Sequence, residues 1–307
     1  MSGLITGLVP IAAAIALGWV ARRTGLVRAD LWAGVNKLAY LVLLPALLFV
    51  TIGQADLAGG EAGTFIIASV LGFLAMAGLA WALKPLLQTD GPSFSSVFQG
   101  GVRWNGFVIL ALAQVGLSAE QAALVAIGFG PTVPLINILC VMGLSVWGEH
   151  EGDVSMKRVL FRIATNPLII GCAGGIAAIA LPWLQPPLVV ATGELIGRAA
   201  LPLILLAIGA GLDFSAIGAR PKLLGVSVAL KLIVAPAVFL AIGYALDLPT
   251  AAMVVLAAVG GAPGAASAYV LAKELGGNAE LMAGHVTVTT MLAFISLPCW
   301  MWVAQAL

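Results

Sequence analysis

Residues 102–142 read VRWNGFVILALAQVGLSAEQAALVAIGFGPTVPLINILCVM. The stretch joins membrane-grade hydrophobicity to residues that a plain spanning helix avoids. Arg103, Asn105 and Gly106 stand just inside one apolar run, and Gly130, Pro131, Pro134 and Asn137 inside the next. Residues 254–277, VVLAAVGGAPGAASAYVLAKELGG, have the same character around Gly260, Gly261, Pro263 and Gly264. In hydrocarbon an unpaired peptide group costs several kcal/mol, so a break in a helix persists only beside a cavity or against protein. The two stretches therefore read as broken helices that cross near the middle of a bilayer and frame a transport site.

Composition agrees with a membrane setting. The chain of 307 residues is 62% hydrophobic and 9% charged, with a formal net charge of +1 and a mean hydropathy of +1.12. A soluble surface needs roughly a quarter charged residues, and no broad positive field is present for nucleic acid. Cys140, Cys172 and Cys299 lie far apart in apolar segments and are expected to be small core hydrophobes, without metal-ligand spacing. Residues 4–20 lack a basic segment before them and are followed by Arg22 and Arg23, the reverse of a secretory signal. They read as the first spanning helix.

Apolar windows long enough to cross hydrocarbon fall at about 3–21, 32–53, 62–83, 95–116, 121–147, 159–181, 187–211, 223–245, 250–272 and 280–305. Charge tests that count of ten. Arg22, Arg23 and Arg28, then Lys84, then Lys157, Arg158 and Arg162, then Arg220 and Lys222, then Lys273 occupy alternate connections, and the other connections carry neither Lys nor Arg. The positive-inside rule makes that side cytoplasmic and places both termini outside.

The halves repeat at an offset near 157–160. Pro45 in helix two corresponds to Pro202 in helix seven, Pro10 in helix one to Pro167 in helix six, and the end of helix four to that of helix nine. Five helices per half is an odd number, so the second half enters the membrane from the opposite side. The expectation is an all-α membrane protein of ten helices in two inverted repeats, residues 1–147 and 159–307, joined by a cytoplasmic linker at 148–158.

If helices four and nine open at Asn105-Gly106 and Gly260–Gly264, the freed amides and carbonyls face a common point. The N-terminal ends of half-helices carry partial positive charge and free N–H groups, which suits the carboxylate of a small organic anion. Candidate ligands are Arg103, Asn105, Gly106, Asn137, Gly261, Pro263, Gly264 and Ser267. The structural alternatives are that Gly and Pro serve packing or kinks and that the asparagines bond neighbouring helices.

Lys37, Arg103, Arg198 and Lys231 are the basic residues at membrane depth. Lys37 and Arg103 lie near the cytoplasmic boundary and can snorkel. Arg198 follows Glu194 by one turn and can pair with it. Lys231 has no acidic residue in its own helix, and only Asp213 or Glu194 offers a partner from the preceding one. It is the best single residue for attracting an anion or for gating. Glu194, Arg198 and His285 are candidates for coupling or gating, since an imidazole titrates near neutrality. Thr287, Thr289, Thr290, Ser267 and carbonyls near Gly261 offer oxygens for sodium. Coupling to protons, to sodium or to neither stays open. No cofactor and no metal centre is implied.

Enzyme readings find little support. His150 and His285 are the only histidines, and no HExxH, carboxylate pair or nucleophile elbow occurs. A wide channel would need polar residues along several helices.

The residues 103–107, RWNGF, the run Ala262-Pro263-Gly264 with 269–274 behind it, Asn137 in its PLIN stretch and Leu297-Pro298 before Trp300 resemble the auxin efflux carrier family over the whole chain. That family includes plant PIN auxin exporters and bacterial malate and malonate permeases. The resemblance implies a fold like that of the bile-acid transporters, with helices 1, 2, 6 and 7 as scaffold and helices 3–5 and 8–10 as the transport part. It also implies elevator-type motion of an organic anion, and a homodimer. Sodium-coupled bile-acid-type symport of an organic anion is the second expectation. Trp104 departs from the family, where the plant proteins have proline before the asparagine, and their long central loop is missing.

Overall fold

A computed structural model describes residues 2–55, 61–149, 161 and 164–307. Among these residues the chain is helical, with no strand. That is the expected outcome for a chain of this hydropathy, because a helix satisfies its backbone polar groups within its own segment. Most of the linker expected at 148–158 lies outside the described residues. So do the basic residues Lys157, Arg158 and Arg162, which contributed to the charge alternation, and His150.

The helices are α1 (Ser2–Arg23), α2 (Leu31–Leu38), α3 (Leu44–Gly53), α4 (Glu61–Ala82), α5 (Lys84–Leu87), α6 (Gly91–Val102), α7 (Gly106–Gly116), α8 (Ala119–Trp147) and α9 (Pro167–Ala180). They continue with α10 (Pro187–Arg198), α11 (Ala200–Ala210), α12 (Pro221–Ala229), α13 (Ala235–Ala245), α14 (Thr250–Gly261), α15 (Ala266–Glu274) and α16 (Ala279–Ala306). Among the described residues six stretches are long and apolar enough to cross a membrane: Leu31–Gly53, Glu61–Ala82, Ala119–Trp147, Pro187–Ala210, Pro221–Ala245 and Ala279–Ala306. The pair α14 and α15 passes the same test together but bends by 42° at its break.

Two prolines explain two irregular turns. The segments Ala39–Leu43 and Leu230–Val234 are π-helical, and Pro45 and Pro236 follow them at the start of α3 and α13. Proline has no N–H and its ring crowds the carbonyl four residues back, so the ladder widens there. The carbonyl that Pro236 orphans is that of Leu232, and the indole Nε1 of Trp300 donates to it at 2.8 Å. Pro131 and Pro134, by contrast, leave α8 a single helix from Ala119 to Trp147.

The chain forms two compact units. The first comprises Met1–Ala62, Phe107–Val133 and Met156–Gly211. In it α1 packs on α11, and α3 packs on α9 and α10. Glycine permits this closeness: a Cβ at Gly18 would stand 1.9 Å from the Leu206 carbonyl oxygen, and one at Gly209 1.8 Å from that of Ile15. In a membrane such backbone approach supplies dispersion contact that the hydrophobic effect does not. Arg22 closes the far end by donating to the Ala210 carbonyl, where α11 ends.

The second unit comprises Gly63–Gly106, Pro134–Ser155 and Leu212–Leu307. Its centre is formed by α6 and α14. Every residue from Ser93 to Val102 and from Ala252 to Gly261 is buried, against α12, α13 and α16. The helix α6 starts on Asp90, whose Oδ1 accepts from the Ser93 amide at 2.8 Å while Oδ2 accepts from Arg220 at 3.0 Å. Partial burial pushes the Asp90 carboxyl up, but the Ser93 bonds and the Arg220 charge outweigh it and hold the group below the ordinary aspartate range.

Candidate functional site

The two expected breaks are present, and proline accounts for the second. In α14 the residue before Pro263 is disfavoured from helical conformation: Ala262 has φ −58° and ψ 138°, and residues 262–265 are non-helical before α15. In the other stretch α6 ends at Val102, Arg103 turns to φ −76° and ψ 135°, and α7 begins at Gly106. The breaks satisfy each other. Asn105 N–H donates to the Pro263 carbonyl at 2.7 Å, and Gly264 N–H donates to the Thr289 hydroxyl at 3.0 Å.

Polar side chains collect at this junction. Asn105 is 2% exposed and Lys231 0%, and among the described residues neither Asn105 Oδ1 nor Lys231 Nζ has a hydrogen-bond partner. The alternative that Lys231 pairs with Asp213 is not met. Asp213 Oδ1 instead accepts from the amide and hydroxyl of Ser215. Arg103 does not simply snorkel either, because its Nε and Nη2 donate to Ser267 Oγ at 3.3 and 3.2 Å while Nη1 is buried without a partner.

His285 on α16 stands between both broken helices. Its Nδ1 meets Ser227 Oγ at 2.8 Å. A Cβ at Gly100 would fall 3.0 Å from Nδ1, and one at Gly264 2.8 Å from Nε2. That Nε2 is buried and unpartnered. Lys231 lies within electrostatic range of His285 and of Cys140 on α8, and Cys140 also adjoins the Arg103 side chain. Asn137 lies one turn before Cys140, on the same side of α8, and is half-buried.

The second unit thus contains Arg103, Asn105, Gly106, Asn137, Lys231, Gly261, Pro263, Gly264, Ser267 and His285. Glu194 and Arg198 belong to the first unit. Arg198 Nη2 lies 3.5 Å from Glu194 Oε2, on side chains 79% and 41% exposed, the i,i+4 pair that the spacing implied. Both line a cavity of about 1240 Å3 with Thr51, Gln54, Gln114 and Glu120.

Sequence reasoning missed three contributors. Gln99 is fully buried, donates to the Ala268 carbonyl at 3.3 Å and leaves Oε1 unpartnered; its signal was an amide before the Gly100-Gly101 pair inside an apolar segment. Ser227 precedes Lys231 by one turn. Cys140, expected only as a core hydrophobe, is buried but adjoins the charged groups. Cys299 is exposed rather than in the core.

The family model described as "Membrane transport protein" matches residues 4–115 and 149–301. A protein of Rhizobium meliloti (strain 1021) named "Putative malonate transporter" is 25% identical over 306 residues, covering 94% of this chain and 92% of that protein. A protein of Methanothermobacter thermautotrophicus named "Uncharacterized transporter" is 24% identical over 291 residues, covering 93% of each.

Proposed function

The chain belongs to the membrane transport protein family, that of the auxin efflux carriers, and we propose that it carries a small organic anion across the membrane by elevator-type alternating access. It is a multi-pass membrane transporter and not an enzyme. The observation that carries the anion reading is the junction itself: two helix breaks bonded through Asn105 and Pro263, with the cationic atoms Lys231 Nζ and Arg103 Nη1 buried there and unpartnered. A buried charge without a partner is costly, and a carboxylate placed beside it removes the cost. The relative named for malonate points to carboxylates as the first compounds to try.

Further observations support the finer reading of ten helices in inverted repeats. A Cβ at Gly18 would meet the Leu206 carbonyl oxygen at 1.9 Å, and one at Gly175 would meet that of Phe49 at 2.9 Å. Adding 157 to residues 18 and 49 gives 175 and 206, so a contact and its counterpart follow the sequence offset. The separation of the Arg103 to Asn105 break from the 262–265 break fits the same spacing. Elevator motion needs a scaffold and a moving part. The division into two compact units, one holding α1 to α3, α7, the first half of α8 and α9 to α11, the other holding α4 to α6, the second half of α8 and α12 to α16, supplies two such parts, with its boundary running through the fifth expected helix.

The test is solid-supported-membrane recording on proteoliposomes with C3 to C6 mono- and dicarboxylates and aromatic acids. Saturable currents or tracer uptake with at least one carboxylate are expected. Responses to cationic or neutral solutes alone would end the anion reading.

A further inference from the structure

The turn that carries Lys231 is not an α-helical one. Leu230–Val234 is π-helical, and Leu230, Lys231 and Leu232 are buried in succession while Ile233 is 60% exposed. A turn closed over five residues rather than four adds one residue to a helix, so the face before it and the face after it leave α register. Ser227, whose Oγ meets His285 at 2.8 Å, and Lys231 one turn later lie on the near side of that addition. Pro236 lies beyond it, and its Cα would stand 2.9 Å from a Cβ at Gly260, just before the break in α14. Lys231 and Pro236 are five residues apart, about 140° around a plain α-helix. The π-turn brings both to the buried side at once.

Such a turn needs something to hold it. The Ala235 amide donates to the Leu230 carbonyl and closes it, but Pro236 has no N–H for the Leu232 carbonyl, which a plain helix would pair with that position. An unpaired carbonyl at membrane depth is costly. Trp300 on α16 meets the cost, its Nε1 donating to Leu232 at 2.8 Å. Without that bond the carbonyl must move toward another donor, and the turn that carries Lys231 moves with it. We infer that Trp300 is a positioning residue for anion binding: by holding the Leu232 carbonyl it keeps the π-turn in the register that aims Lys231 at the junction, and it sets affinity without touching the anion. The assignment rests on the anion-carrier reading above and adds to it the device that places one of its charges.

The experiment uses the full-length protein in proteoliposomes with malonate, malate and indole-3-acetate as probes. Trp300→Phe keeps a ring and removes its N–H; it is expected to raise KM by about threefold or more and to leave the maximal rate within about twofold. Pro236→Ala restores an amide that can reach Leu232 and admits the α register, so it should raise KM as well although Trp300 is intact. Lys231→Gln is expected to raise KM by about tenfold or more, and in that background Trp300→Phe should add no further rise, because it acts through Lys231. A lower melting temperature in detergent with unchanged KM in Trp300→Phe makes the bond structural only and overturns the inference. So does an equal rise in KM with and without Lys231. If Trp300→Phe fails to fold, Pro236→Ala decides, and a wild-type KM or a rise that persists beside Lys231→Gln overturns the inference. These outcomes leave the anion reading standing. Unchanged KM in Lys231→Gln removes Lys231 from the site and the inference with it, and absence of uptake for all three probes removes the anion reading and the inference together.

Discussion

The amide of Asn105 donates to the carbonyl of Pro263 at 2.7 Å, across 158 residues of sequence. Each group is one that its own helix leaves unpaired. The bond is made by the main chain, so the Asn105 side chain remains available, and its Oδ1 is buried without a partner. Asn105→Ala should therefore cut carboxylate uptake by about tenfold or more, while detergent melting shifts little. Wild-type uptake in a well-folded variant would remove the side chain from the site.

Gly264 is shaped by His285. A Cβ there would lie 2.7 Å from Cδ2 and 2.8 Å from Nε2 of the ring, and 3.2 Å from Thr289 Oγ1. Gly264→Ala should lower stability by about 1–3 kcal/mol and reduce transport. Removing the ring as well, in Gly264→Ala with His285→Ala, should recover part of that loss. A double-mutant cycle of melting temperatures and uptake rates measures the coupling, and strict additivity would show that the ring is not what opposes the methyl group.

In the first unit, Gly18 is the tightest test of backbone packing. Its Cβ position collides with main-chain atoms of Leu206 rather than with a flexible side chain, so α1 and α11 must separate to admit a methyl. Gly18→Ala should cost about 1–3 kcal/mol, read as a lower melting temperature. Gly34→Ala, in α2 where nothing lies within 4 Å, serves as the control and should melt no lower than the wild type, since alanine is the better helix former.

Asp90 tests electrostatics outside the hydrocarbon. Its loss as a cap in Asp90→Ala should cost about 1 kcal/mol. The folded protein holds this carboxyl below its ordinary value despite partial burial, through Ser93 and Arg220. The stabilisation is thus full above the unfolded aspartate pKa and fades as pH falls through the folded one. The melting-temperature gap between wild type and variant should shrink on acidification from neutrality, and a gap that grows would contradict the assignment.

Much of this architecture could be read from residue types. Broken helices were legible at Asn105-Gly106 and Pro263-Gly264 from polar, glycine and proline residues inside apolar runs, but residue type alone did not separate them from Pro131 and Pro134, which leave α8 continuous. The Glu194 to Arg198 pair followed from helical spacing. Trp104, noted only as a departure from the family, stacks tilted on Phe73 at 5.8 Å, and Phe73 meets Phe239 edge-on at 5.0 Å. That chain of rings spans distant segments, and no local pattern announces it. Pro236 escaped notice because its effect falls on Leu232, whose rescuer Trp300 is 68 residues away. The isolation of Lys231 was legible within its own helix, but whether Asp213 reached it depended on tertiary geometry that periodicity does not carry.

The burial of α6 and α14 on all sides has an implication for how such a carrier can vary over time. Neither segment offers a side to acyl chains, so greasiness there does not serve as a match to solvent, and α6 accommodates Ser93, Ser95, Ser96 and Gln99 in its interior. What constrains these positions is volume and hydrogen-bond geometry. Outward-facing positions elsewhere can drift freely among leucine, isoleucine and valine, whereas the alphabet of the two inner half-helices is expected to stay small-bodied, with polarity negotiable and size not.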